Sequence, residues 1–469
     1  MATLYLKLRD NRPDKSIPLA HYDLPIFGNL LYYIYQALKK TILTQMLNDI
    51  RKYGQYWIVL PNIGMQFFYS DPASIKEVLE DLDTYEMSPV RKSMFSEIFG
   101  NGIFMSSGDE WAYQRNLAKP IFSLTSRQDM FDVYHKCAHN LVELLEETAR
   151  VKDNKVELQQ LFKRFTLDTF CEIGFGCTFN SLKKPVEFSL TFDWLFSSVD
   201  GRILYPWKRI LHAHAWRTEM AKLERYIEKI IEERRRDGWE GRGDFLSVLL
   251  EMEARKEITG VSSKFLRDQV VNFMVAGRDT TAILLSATFY FLSLHPEVDQ
   301  KVRKEIAEVV GDNPVSMKHT KELKYLQNVL NESLRLHPPA VLFNPRITTK
   351  PVVLPNGARL PKGTQVVYSP FFVHRLKEYW GEDAEEFVPE RWENPNVLKH
   401  FYQFVPFQKG PRICLGMNMA YEEAKACISI LYQSGFQFSL VDTKPKSYSG
   451  LAILLFNEGV TMNVQKVHS

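Results

Sequence analysis

Apolar residues recur along most of this 469-residue chain at intervals of three and four, the spacing of amphipathic helices. Helical patterns run from Phe131 to Arg150 and from Leu158 to Ile173, and Asp71-Pro72 opens a further helix through Leu79. The longest pattern, Leu266 to Leu294, is apolar on nearly every side and long enough to cross the molecule. Arg278 and Asp279 within it argue against a membrane span. Period-two runs are fewer. Tyr56 to Leu60 and Met65 to Tyr69, separated by Pro61-Asn62-Ile63-Gly64, read as a hairpin, and Val352 to Leu354 and Gln365 to Tyr368 as further strands of the same small sheet. From Tyr85 to Phe104 the pattern is irregular and reads as a long loop. Aromatic residues crowd between Phe188 and Trp216, while charges of both signs alternate from Arg217 to Asp244, which predicts a solvated helix. The fold class is therefore mainly α with a small β region.

Composition adds boundaries rather than detail. Hydrophobic residues at 45% and charged ones at 25% are ordinary for a globular enzyme, and a net charge of +3 is too balanced to imply nucleic acid as a partner. Five cysteines, an odd number without zinc-like spacing, predict a reducing compartment. Near the N-terminus no run approaches the roughly 20 apolar residues that span a bilayer.

The chemistry concentrates in Phe407-Gln408-Lys409-Gly410-Pro411-Arg412-Ile413-Cys414-Leu415-Gly416, followed at once by an amphipathic helix carrying Met417, Ala420, Ala424, Ile428 and Leu431 on one face. A cysteine just before a helix N-terminus sits where backbone N–H groups favour negative sulfur, predicting a lowered thiol pKa. Gly410 and Gly416 let the backbone turn tightly and approach a flat ligand, and Arg412 supplies a forked cation for an anionic group. A lone buried cysteine is usually inert, so the weight lies on the complete pattern Phe-x-x-Gly-x-Arg-x-Cys-x-Gly. On that pattern the chain resembles the cytochrome P-450 superfamily of haem-thiolate proteins, and further motifs extend the resemblance over almost its whole length.

The resemblance implies the P-450 fold, with haem b between the long central helix and the cysteine loop, and Cys414 as axial ligand of the iron. In the central helix, Ala276-Gly277-Arg278-Asp279-Thr280-Thr281 matches the family's Ala-Gly-x-Asp-Thr-Thr. Gly277 would weaken the helix and let a flat ligand approach, and the Thr280 hydroxyl can turn onto the carbonyl one turn back, bending the ladder. The match assigns Thr280 to positioning dioxygen and its waters and Asp279 to proton delivery. Trp111 and Arg115, at i,i+4, match Trp-x-x-x-Arg and with Arg346 and Arg412 imply contacts to the haem propionates; alone, Trp111 and Arg115 read as a surface cation–π pair. Ala276, Phe407 and Gly416 complete the cofactor contacts. Glu332 and Arg335, at i,i+3, with Arg391, match the Glu-Arg-Arg set that locks the loop beneath the haem, a structural role. Val275, Val341, Leu342 and Leu451 are expected in the substrate pocket, with Ala340, and the loop from Tyr85 to Phe104 and the aromatic stretch cover it.

Residues 1–29 resemble the basic, proline-bearing hinge of anchored members, with Lys7, Arg9, Arg12, Pro13, Lys15 and Pro18 preceding Leu24-Pro25-Ile26-Phe27-Gly28-Asn29, and residues 30–469 form one catalytic domain. Either a membrane anchor is missing from this chain, placing the protein on the cytosolic face of the endoplasmic reticulum, or the protein is soluble and cytoplasmic. The expected activity is insertion of one oxygen atom of O2 into a C–H bond of an apolar substrate. The Gly174-Phe175-Gly176 helix end and Trp380-Gly381-Glu382-Asp383-Ala384-Glu385-Glu386-Phe387 resemble the fatty-acid and alkane omega-hydroxylase branch. A sterol or xenobiotic hydroxylase is the rival within the class, and a reductase-independent isomerase or dehydratase and a haem carrier without turnover are the rivals outside it. With no flavin or iron-sulfur domain, electrons come from a separate donor, an NADPH-cytochrome P-450 reductase or a ferredoxin, to which a basic patch including Lys409 would dock.

Overall fold

The fold is described from a computed structural model over residues 14–20, 27–60, 63–122, 127–184, 186–205, 207–255, 262–342 and 344–467. Helices dominate, and everything is arranged about one of them, Ser263–Leu294, which runs unbroken for 32 residues, about 48 Å at 1.5 Å per residue. Ser262 caps it by accepting from the Phe265 N–H at 3.1 Å, and it stops at His295, immediately before Pro296. From Leu266 to Tyr290 its apolar residues are buried on nearly all sides, as the sequence pattern requires, while Leu294 at its end is exposed. Leu158–Phe175 packs along it most extensively, with Glu187–Leu204 and Ala213–Asp237 above and Lys324–Leu336 and Met417–Gln433 on other sides.

A five-stranded sheet lies to one side, in the order Tyr56–Leu60, Gly64–Phe68, Gln365–Val367, Arg346–Thr348, Tyr85–Met87. The first two strands form the expected hairpin, pairing Tyr56 with Phe68 and Leu60 with Gly64. Pro61 and Asn62 of its turn lie outside the described residues. Val352–Val353 does not join this sheet; it pairs only with Arg359–Leu360 in a separate two-stranded ladder. The stretch from Tyr85 to Phe104 is not a loop either. After its short strand, Ser88 caps the helix Pro89–Phe99 by accepting from the Val90 N–H, Pro89 supplies the first helical residue, and Phe95, Ile98 and Phe99 are buried.

Two other expectations change. The charged helix Ala213–Asp237 buries one apolar stripe, Trp216, Leu223, Ile227, Ile230 and Ile231, and among its charged residues Arg234 is buried too, donating to the Phe175 carbonyl and pairing with Asp244 at 3.5 Å. A side chain at Gly176 would collide with that guanidinium, which explains the tight helix end. Of the N-terminal hinge, Lys7, Arg9, Arg12, Pro13, Leu24, Pro25 and Ile26 lie outside the described residues. Residues 14–20 pack against the folded unit: Ile17 and Ala20 are buried, and the Trp57 N–H donates to the Pro18 carbonyl while Ala20 N–H donates to that of Trp57. Asn29 fastens the entry from the other end, donating to Ala20 O and accepting from Val59 N. No helix among the described residues is long and apolar enough to cross a membrane.

Candidate functional site

The central helix, the cysteine loop and the helix Gly108–Ala118 enclose a cavity of about 260 Å³. Its floor is the loop predicted from sequence. The Cys414 N–H closes that loop by donating to Phe407 O at 2.9 Å, and a tight turn at Gly410–Arg412 is fixed by Ile413 N–H on Gly410 O. Gly410 has φ +69°, and a side chain there would lie 2.6 Å from the Leu79 carbonyl oxygen, so glycine is required for the turn and for the neighbouring chain. The helix Met417–Gln433 then starts at once and is buried nearly all round from Met419 to Tyr432, not on one face alone.

Cys414 is surrounded by protein yet its side chain is exposed, because the surface it presents is the wall of the cavity. Burial pushes its thiol up, opposed by a Gly416 backbone N–H and by the Arg115 guanidinium. The expected lowering by the helix terminus is therefore reversed by desolvation; a metal ion, which takes the thiol proton outright, is what would make it a thiolate.

Facing the loop, Arg115 donates to Ile413 O and Arg412 to Ser106 O, both at 2.9 Å. The guanidiniums cover the Trp111 ring at 5.6 and 4.4 Å, so the motif pair is part of a three-member stack lining the cavity. Arg346 is buried with its Nε and Nη2 unpartnered among the described residues, as is Nε of Arg412. Burial, with repulsion from Arg346 and Arg115, pushes Arg412 down to about 9, and burial lowers Arg346 and Arg115. Arg91, which no sequence motif marks, joins them: it lines the cavity, donates to Asn344 Oδ1 at 2.6 Å and is driven down by burial and by Arg346 and Arg412. Arg115, Arg346 and Arg412 form no ion pair among the described residues, a state that a dianion entering the cavity would relieve. The opposite requirement, a flat open space beside the sulfur, is met at Gly416, where an added Cβ would find nothing nearer than Phe122 at 3.7 Å and Cys414 Sγ at 4.0 Å. Orphaned guanidiniums and a cradle next to a thiol fit a flat dianionic macrocycle bound through sulfur.

On the central helix Val275, Ala276, Gly277, Thr280 and Thr281 line the cavity. Thr280 Oγ1 donates to Ala276 O at 2.7 Å, as expected, yet the helix continues unbroken through that turn. Gly277 serves a further purpose besides opening the cavity wall. A Cβ there would sit 2.0 Å from the Phe170 ring, so the missing side chain admits Phe170, which itself lines the cavity. Gly277→Ala is expected to destabilise the protein by about 1–3 kcal/mol through overpacking. Pairing it with Phe170→Leu should recover most of the loss in a thermal melt, and no recovery would remove this explanation.

Asp279 does not line the cavity. It is buried and bound to Arg278 Nη1 at 2.9 Å; the same nitrogen reaches Asp193 at 2.8 Å, which also pairs with Lys163 at 3.1 Å. Burial raises the Asp279 carboxyl and the Arg278 charge opposes it. Three of the four expected pocket residues are displaced as well. Val341 is buried in the core, and Leu342 and Leu451 pair by a backbone hydrogen bond of 2.8 Å instead of lining the cavity. The wall at that point is Pro339, Ala340, Ala452 and Ile453, with Ala340 bridged to Ile453. A strand-like pair alternates its side chains, so the registers expected from sequence were off by one. Phe104, Phe122, Phe170, Phe196 and Phe273 supply the aromatic walls.

Beneath the loop, Glu332 accepts from Arg335 Nε and Nη2 and Arg391 Nε at 2.8 Å, from Val388 N at 2.9 Å and from Trp392 Nε1 at 3.0 Å. Lys409 is buried with its ammonium 3.1 Å above the Phe401 ring, and burial pushes it down to about 8, so it does not belong to an exposed docking patch.

The cytochrome P450 family model matches residues 18–463 of this sequence. The chain belongs to the cytochrome P450 family. Among curated relatives, cytochrome P450 704C1 of Pinus taeda is 30% identical over 462 residues, covering 89% of this chain and 87% of the relative. Cytochrome P450 52A3-A of Candida maltosa is 33% identical, covering 81% and 77%, and cytochrome P450 monooxygenase FPY7 of Fusarium mangiferae is 31% identical, covering 90% and 84%. As a P450, the protein is a haem-thiolate monooxygenase that binds haem b through a cysteine thiolate and works on a hydrophobic substrate with O2 and a redox partner.

Proposed function

We propose that this P450 hydroxylates a long apolar chain, a fatty acid or an alkane, at or near its terminal carbon, and that Cys414 would hold the haem iron. The supporting observation is one cavity in which Cys414 and Thr280 share walls with Phe104, Phe122, Phe196, Phe273 and Val275. Haem b bound to a thiolate supplies dioxygen activation and transfer of one oxygen atom to a C–H bond. The chain supplies the rest. Arg115, Arg346 and Arg412 neutralise the propionates, with Trp111 holding two of the three guanidiniums in place by their faces. The phenylalanines exclude water and align an alkyl chain by shape. Thr280 holds its hydroxyl proton on Ala276 O, so its free lone pairs accept from a water or from a protonated group in the cavity. Asp279 is the proton source, and its proton reaches Thr280 when the pair with Arg278 opens.

Removing that hydroxyl with Thr280→Ala is expected to lower product formation on the order of 10²-fold, the lower range for positioned proton transfer, while oxidation of the nicotinamide cofactor continues. Product and cofactor consumption measured together decide it; a variant that keeps product in step with cofactor consumption would discard the role of Thr280. The substrate class is tested by spectral titration and product analysis with saturated fatty acids, n-alkanes and a sterol. Terminal or near-terminal alcohols from the first two support the reading, and turnover of the sterol alone sinks it.

The electron donor is a separate flavoprotein or ferredoxin. The protein works at a membrane surface, on the cytosolic face of the endoplasmic reticulum. Exposed Leu31, Tyr35 and Leu38 on one helix and Trp207, Ile210 and Leu211 after the end of a neighbouring one, beside Lys39, Lys208 and Arg209, favour that placement.

A further inference from the structure

One carboxyl group faces the cavity and has no part in the reaction as derived above. Gly416, Ala420 and Glu423 lie at helical spacing on the cavity side of Met417–Gln433, and Glu423 is the one acidic side chain among the described residues that line the cavity. It is 2% exposed and forms no ion pair among the described residues; its Oε1 is in contact with the Thr169 hydroxyl. We propose that Glu423 is a redox-linked proton site: when one electron from the donor reduces the iron held at Cys414, one proton from solvent binds the Glu423 carboxylate.

The step balances. The electron adds one negative charge to the cavity and the proton removes one, with no bond broken elsewhere. This deepens the haem-thiolate reading and rests on it. Its physical basis is that a unit charge in a poorly screened interior is felt across a cavity of this size. The other titratable groups on the elements packed against Glu423 are engaged with partners or pushed away from neutral, although burial raises the Asp168 carboxyl as well. From Leu158–Phe175, Asp168 is occupied by the Ser181 and Leu182 N–H groups and Glu172 by Lys136 at 2.8 Å. Cys137 of Arg127–Arg150 and Cys427 on the Glu423 helix are thiols pushed up by burial. Thr281 of the central helix faces the same cavity and is not ionisable in this range. Burial places Glu423 itself at about 8, with the Thr169 hydroxyl opposing, so the group titrates close to neutral pH.

The sign follows from linkage. Well below the pKa Glu423 is protonated with either oxidation state, and the reduction potential does not depend on pH. Above it, until the higher pKa of the reduced state is passed, each pH unit costs a factor of ten in the reduction equilibrium, 59 mV for one electron. The test is the midpoint potential of the haem-loaded protein by mediated spectroelectrochemistry from about pH 6 to about pH 9.5. Wild type is expected to be flat on the acid side and to fall on the alkaline side with a slope approaching 59 mV per unit. Glu423→Gln, an isostere of the neutral acid, is expected to hold the acid-side potential throughout. The same slope in both proteins, or no slope in wild type, would overturn the proposal. Should Glu423→Gln fail to take up haem, an indicator dye in weakly buffered wild-type protein gives the answer. Proton uptake on reduction is expected near pH 8 and not near pH 6, and none at either pH overturns it. The carbonyl complex of the reduced wild type reports separately on the thiolate, so failure of that foundation is distinguishable from failure of the Glu423 linkage.

Discussion

Cys414→Ser is expected to abolish the strongly red-shifted Soret band of the reduced protein with carbon monoxide, and with it at least about two orders of magnitude of monooxygenase turnover, the scale of an essential group at a reaction centre. The side chain contributes to the cavity wall and not to the core, so the fold should survive the change of one atom. What changes is the ligand. Burial holds the Cys414 thiol above its ordinary range, and a bound iron would supply the charge that removes its proton. A serine hydroxyl, far less acidic and without soft electron density to donate, has no such compensation in the same desolvated position. Cys177→Ser, which alters a half-buried cysteine away from the cavity, is the matched control and should keep the band. A red-shifted band retained by Cys414→Ser would remove the axial assignment and every role built upon it.

The parts of this protein that the sequence disclosed are those written in contiguous residues. The cysteine loop closes on itself through Cys414 and Phe407, and Thr280 bonds the carbonyl one turn before it, so spacing alone sufficed. The Glu332 and Arg335 pair was worthless as spacing, since the charged helix repeats it, and gained meaning only with Arg391 from another segment. Where tertiary packing decides, contiguous residues do not carry the answer. Gly277 is glycine because Phe170, more than a hundred residues earlier, occupies the place of its side chain. Asp279 faces Arg278 and Asp193 because a roof helix supplies the second carboxylate. Pro89–Phe99 carries a helix-start signal in Ser88-Pro89, but its mixed residues give no clean stripe by which to extend it. Arg91 and Glu423 carried no signal of their own: one sits in that helix, and the other is an acid in a helix whose burial on all sides only the assembled fold reveals.

The buried acceptor Glu332 gives the largest expected effect on stability. Its two oxygens take five donors, Oε1 from Arg335 Nη2, Val388 N and Arg391 Nε, and Oε2 from Arg335 Nε and Trp392 Nε1. Arg335 is fully buried and spends its remaining donors on the carbonyls of His374, Ala384 and Glu386, so these two side chains tie the helix Lys324–Leu336 to the segment that leads into the cysteine loop. Glu332→Gln keeps the shape and removes the charge. Whichever way the amide is turned, its NH2 group meets at least two donors, one of them a buried guanidinium left without its counter-charge. Breaking a buried pair in this way costs about 3–5 kcal/mol, a large part of the roughly 5–15 kcal/mol that holds a domain folded. Because the strain falls on the approach to the loop, we expect a lower melting temperature together with poorer haem retention, while the carbonyl band of the haem that remains keeps its position. Glu332→Gln with wild-type melting and full haem content would show that the network is dispensable. A shifted band at unchanged stability would instead place Glu332 in control of the thiolate, a role that its five structural donors and its place outside the cavity lining do not call for.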